Sequence, residues 1–155
     1  MSRRVLVAGL GNEYRSDDGA GPAVAAYVSN AVSGVDSKVI GEPLDLIGAW
    51  DDADLAVVVD ATRSGAPTGT VQIVDLGGGE DVDSSAGPVS SHGMDLPRVL
   101  RLARAMGHAP RRVVIVGIEG ENFADGVGLC PAVQQAVSEA GDLVLQVVGE
   151  VISCA

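Results

Sequence analysis

Three short apolar runs punctuate this chain, and longer stretches of helical period fill the gaps between them. Residues 4–8, 55–60 and 112–118 are almost continuously apolar, which fits strands buried on both faces of a sheet. A helix is expected from about Gly19 to Ser33, with Asp17 or Asp18 as its cap. A second helix is expected over 95–106. Leu96, Val99, Leu100, Leu102, Ala103 and Met106 form its apolar side, and Arg98, Arg101 and Arg104 form a solvated face. A last helix runs from Pro131, a residue suited to a first turn, to about Val148. Weaker signals place a short strand at 38–41, a short helix at 44–50 behind Pro43, and a strand at 70–76.

The connection at 61–69 is too short and turn-rich for the helical crossover that a parallel neighbour needs. The strand at 70–76 should therefore run antiparallel at a sheet edge. Residues 77–91 read as a glycine- and serine-rich loop of a length that tends to carry function. A second loop, with Glu119, Glu121 and Asp125, precedes the last helix. The order β-α-β-α-β-β-α-β-α predicts one α/β domain over residues 1–155. It is a three-layer αβα sandwich with a mostly parallel five-stranded sheet and one antiparallel edge strand.

Composition sharpens this picture. Apolar residues make up 46% of the 155 residues but aromatics only 3%, so the core is built from Val, Leu, Ile and Ala. The formal net charge of −11 argues against nucleic acid as a partner, because that needs a basic face. It suits solubility, or the handling of a cation or a basic peptide. No apolar run reaches a membrane span, and Arg3 and Arg4 precede too few apolar residues for a signal peptide. Cys130 and Cys154 lack metal-ligand spacing, so a cytoplasmic protein with free thiols is expected.

The run Val5-Leu-Val-Ala-Gly9-Leu-Gly11-Asn12-Glu-Tyr14-Arg-Ser16-Asp17-Asp18-Gly19-Ala-Gly21 has the strand–turn–helix layout that often receives a phosphate. Two adjacent carboxylates invert that expectation, since they attract cations and repel nucleotides. Tyr14 also stands where a dinucleotide fingerprint needs its third glycine. In such sheets, ligands bind beyond the C-terminal ends of the strands. Asp18 follows the first strand, Asp60 ends the third, and His92 lies just before the 95–106 helix. Two carboxylates and an imidazole on one edge could form an open metal site or do acid–base work. Each also has a structural reading: Asp18 as a cap, Asp60 satisfying turn amides, His92 as a loop residue. Cys130, at a helix start, reads as a buried filler or an activated thiol. His108 reads as a surface loop residue.

The chain resembles the hydrogenase maturation endopeptidases over nearly its whole length. The resemblance rests on five segments in a shared order. They are Gly9-Leu-Gly11-Asn12 with Asp17-Asp18-Gly19-Ala-Gly21, then Asp60-Ala61, Ser91-His92, Val116-Gly117-Ile118-Glu119 and Gly128-Leu129-Cys130-Pro131. Two departures stand out. Cys130 replaces the usual Ser or Thr, which argues against a shared thiol mechanism. Gly41-Glu42-Pro43-Leu44 replaces a Gly-Thr-rich segment, which leaves the identity of the hydrogenase open.

The resemblance implies a peptidase that trims the C-terminal extension of a nickel–iron hydrogenase large-subunit precursor after nickel insertion. Asp18, Asp60 and His92 would be both the catalytic and the nickel-contacting residues. The nickel would arrive with the substrate and be weakly held or absent in the isolated protein. Competing expectations are a non-catalytic nickel checkpoint and a nucleotide-dependent small-molecule enzyme on the same fold.

Overall fold

The computed structural model describes residues 3–77 and 96–153. Five strands form one sheet in the order β2-β1-β3-β5-β4, where β1 is Val5–Leu10, β2 Asp36–Ile40, β3 Leu55–Thr62, β4 Val71–Gly77 and β5 Val113–Glu119. The pairs β1–β2, β1–β3 and β3–β5 are parallel, and β4 closes the edge antiparallel to β5. The expected sheet and its antiparallel edge strand are therefore both present.

Helices α1 (Ala20–Ala31), α2 (Leu46–Ala49), α3 (Leu96–Met106) and α4 (Pro131–Ser153) cover the two faces. The pleat divides the strands between two cores. Val5 and Val7, Leu55, Val57 and Val59, and Val114, Val116 and Ile118 pack under α1 and α4. Leu6 and Ala8, Ala56 and Val58, and Val113 and Ile115 pack under α2 and α3 with Trp50. This is the three-layer sandwich, and burial on both faces explains why the central strands lack polar alternation. Each fully buried Val or Leu contributes about 1.5–3 kcal/mol relative to exposure.

Several boundaries differ from the sequence expectation. Strand β1 runs on to Leu10, and β3 continues past Asp60 to Thr62. Strand pairing extends both, because β1 still has β2 beside it at Leu10 and β3 has β5 beside it at Thr62. Glu119 closes β5 instead of opening a loop. The segment at 43–50 is a 3-10 turn, Pro43–Asp45, followed by a single α-helical turn. On α3, Leu102 and Met106 are exposed alongside Arg98, Arg101 and Arg104, so the apolar stripe is narrower than the sequence suggests. Helix α4 extends to Ser153, running on through Gly149. Neither Asp17 nor Asp18 caps α1 through its side chain. Both belong to a 3-10 turn, Ser16–Gly19, that precedes the helix.

Candidate active site

The site forms where α1 is pressed onto the sheet. A methyl group added at Gly9 would collide with the Gly21 carbonyl, and one at Gly21 would sit 2.5 Å from the carbonyl oxygens of Leu10 and Val59. The two glycines let helix and strand backbones touch, which seats the 3-10 turn against β3. A methyl at Gly11 (φ +143°) would strike the Asp18 carbonyl, so the chain can fold back over this turn only with glycine there. The glycine pattern that suggested a phosphate loop is thus a packing device.

The acidic pair splits into two roles. Asp17 is fully buried and faces the loop before α4. Its Oδ1 accepts the Cys130 N–H at 2.9 Å, and its Oδ2 accepts the Glu121 and Asn122 N–H groups at 2.9 and 3.0 Å. Burial pushes its pKa up, but these three backbone donors outweigh burial and hold it below the ordinary range. The same turn is tied in by Ser16, whose N–H donates to the Gly126 carbonyl and whose hydroxyl donates to the Ala124 carbonyl. Ser16 takes a positive φ of 53° there.

Asp18 is the other member. It is 2% exposed, and its Oδ2 accepts the Asn12 N–H at 2.9 Å at the end of β1. Asp60 is 1% exposed in β3, the strand beside β1, and its backbone is paired with Gly117 of β5. It shares strand parity with Ala56 and Val58, which places it on the sheet face covered by α3. Two carboxylates are therefore buried at the C-terminal edge of adjacent strands. His92 lies outside the described residues. Among the described residues no group of three His, Cys, Asp or Glu side chains forms a metal cage. Asp18 and Asp60 supply two oxygen donors, a set that suits a metal only when other ligands complete it.

Sequence reasoning missed two anchoring carboxylates. Asp17 is one. The other is Glu119, which accepts from the Thr62 hydroxyl at 3.0 Å, the Ser64 hydroxyl at 2.7 Å and the N–H groups of Ser64 and Gly65. Burial raises its pKa, but the Ser64 and Thr62 bonds prevail and lower it. Glu119 thereby holds the chain that leaves β3 just beyond Asp60. Arg63 reinforces the arrangement by stacking 4.1 Å from the centre of the Phe123 ring. The only hint in the sequence is that each is acidic and sits at the end of an apolar run or in the glycine turn.

A family model described as hydrogenase maturation protease matches residues 41–147. The chain belongs to the hydrogenase maturation protease family. The hydrogenase 2 maturation protease of Escherichia coli is 27% identical over 156 residues, covering 95% of this chain and 92% of that protein. Among solved structures, the hydrogenase maturating endopeptidase HybD from E. coli superposes with a TM-score of 0.76 at 24% identity, covering 95% of this chain and 93% of that one. The hydrogenase 2 maturation peptidase from Thaumarchaeota archaeon SCGC_AB-539-E09 gives a TM-score of 0.68 at 28% identity, covering 95% of this chain and 99% of that one.

Membership makes the protein a peptide hydrolase and sets aside the nucleotide-dependent reading. In this maturation protease the surroundings of Cys130 disfavour its thiolate. Burial is the main cause that pushes its pKa up, and the neighbouring Glu121 and Asp17 carboxylates push in the same direction. What Cys130 gives the site is its backbone N–H, donated to Asp17. No helix among the described residues is long and apolar enough to cross a membrane.

Proposed function

We propose that this maturation protease removes the C-terminal extension of a nickel–iron hydrogenase large-subunit precursor once nickel has been inserted. The observation that carries the reading is the pair of buried carboxylates, Asp18 and Asp60, at one edge of the sheet in a chain of this family. Together with His92 they contact nickel that belongs to the substrate. Two hard oxygens and an imidazole form an open set, which leaves room for ligands from a second molecule. The cysteine thiolates of the precursor are the soft donors that complete it.

Cleavage is a hydrolysis. A water oxygen attacks the scissile carbonyl carbon, the C–N bond breaks, and the leaving amine takes a proton. A carboxylate of the Asp18–Asp60 pair accepts the proton of the attacking water as general base, in the manner of aspartic-type hydrolysis. The buried setting keeps bulk water out and strengthens each polar contact. A reduced, free thiol such as Cys130 fits a cytoplasmic reaction.

The test is direct. Nickel-loaded precursor is incubated with the protein, and loss of its C-terminal peptide is followed by mass spectrometry. Wild-type protein releases the peptide. Asp60→Asn and His92→Ala remain folded by circular dichroism and lose at least about 100-fold in rate, the usual size of a general acid–base contribution. Full activity in either variant removes that residue from the mechanism. An intact precursor with wild-type protein rejects the function.

A further inference from the structure

A groove runs past the N-terminal end of α1, outside the buried carboxylate pair. It consists of two cavities. One, of about 540 Å³, opens at Gly11 and Asn12 and is bounded by Glu13, Glu42 and Asp45. The other, of about 410 Å³, has walls of Ala23, Ala26, Val127 and Leu129. Glu13, Pro22 and Val39 line both, so the two cavities adjoin. Large apolar side chains stand in water along this track: Val39 is 60% exposed, Val127 80% and Tyr14 63%. Clustered exposure of this kind marks a surface that meets a partner.

Charge identifies the occupant. Among the described residues, Glu13, Glu42 and Asp45 line the first cavity and no basic side chain lines either of the two; Lys38 lines a smaller, neighbouring cavity that shares Pro22, Ala26 and Val39. An anionic end followed by an aliphatic end complements a peptide that carries a cation and then an apolar side chain. The groove also begins at Asn12, whose N–H holds Asp18.

We infer that this groove docks an extended segment of the precursor, with an arginine or lysine side chain at the Glu13–Glu42–Asp45 end and an aliphatic side chain between Ala26 and Val127. The inference rests on the proposed function for the identity of the peptide, and on the groove for its chemistry. Glu42 lies in the Gly41–Leu44 segment where this chain departs from the Gly-Thr-rich pattern, and Asp45 follows it directly, so the groove sets which precursor this chain accepts.

The experiment reads binding separately from cleavage. The full chain, labelled with 15N, is titrated with acetyl-Gly-Arg-Gly-Leu-Gly-amide and with the peptides in which Glu replaces Arg or Ser replaces Leu. The Arg–Leu peptide shifts the amides of Glu13, Val39, Glu42 and Val127, and added salt weakens it. The Glu and Ser peptides bind more weakly. Glu42→Gln and Asp45→Asn, both on exposed side chains, each weaken the Arg–Leu peptide roughly two- to fivefold. Absence of shifts, equal binding of the Glu peptide, or unchanged affinity in the double variant overturns the inference. Shifts that appear with protein concentration alone also overturn it, because they assign the groove to a second copy of the chain. Intact precursor cleavage with a silent groove rejects the groove alone. A responsive groove without cleavage supports the groove and rejects the proposed function.

Discussion

The Asp17 carboxylate accepts the backbone N–H of Cys130 at 2.9 Å across 113 positions of sequence. That bond, with those from Glu121 and Asn122, fastens the turn bearing Asp18 to the start of α4. The position of Asp18 is thus set by its neighbour, and the loop before α4 cannot drift from the site without exposing three amides.

Asp17→Ala removes the acceptor of all three. A buried N–H left without a partner costs about 1–3 kcal/mol, and these three are partly buried. The variant should lose about 1–3 kcal/mol in urea-unfolding experiments and should process precursor poorly even when folded. A loss below about 1 kcal/mol would show that water replaces the carboxylate.

Acid stability tests the same anchors. Asp17 and Glu119 have folded pKa values below their ordinary 3.8 and 4.5. A depressed carboxylate adds stability that is present above the unfolded pKa and is lost as pH falls through the folded one. Unfolding free energy should therefore fall below about pH 4.5 and keep falling to lower pH. The Asp17→Asn/Glu119→Gln double variant should be less stable at pH 7 and show a shallower decline with acid. An unaltered acid slope in the double variant would assign it to other carboxylates.

The glycine contacts predict opposite signs at two sites. Gly9→Ala forces the strand and helix backbones apart, and overpacking of this kind costs about 1–3 kcal/mol or more. Gly48, in α2, has nothing within 4 Å of an added methyl, so Gly48→Ala should stabilise by about 0.5–1 kcal/mol. Thermal melts of the two variants measure both signs. A neutral Gly9→Ala would mean that α1 is not seated by this contact.

Cys130→Ser should retain processing within about twofold, because its thiol is pushed away from the reactive thiolate and the Asp17 bond uses the backbone. Loss of cleavage in the folded variant would restore a role for the sulfur.

If the protein contacts nickel carried by its substrate, it should purify largely without metal and cut nickel-free precursor at least about tenfold more slowly. The energetic reason is that one interaction with a charged group is worth about 1.5–3 kcal/mol. Elemental analysis and paired cleavage assays measure both. Equal rates for the two precursors would point to a peptidase that reads sequence alone.

The sequence by itself determined the layers. Runs such as Leu55–Val59 have no polar alternation, so they fit strands covered on both faces, and the nine residues at 61–69 were too few for a parallel crossover. It also placed Asp18 and Asp60 at one edge, since each follows or lies near the end of an apolar run. Tertiary structure alone decided what each member of the acidic pair does. Asp17 and Asp18 have the same chemistry and adjacent positions, and they are told apart by donors at 12, 121, 122 and 130, all but one more than 100 residues away. The glycines follow the same logic. Gly9 and Gly21 read locally as a phosphate turn, and only the approach of two backbones, which no local pattern encodes, shows that their missing side chains make room for each other.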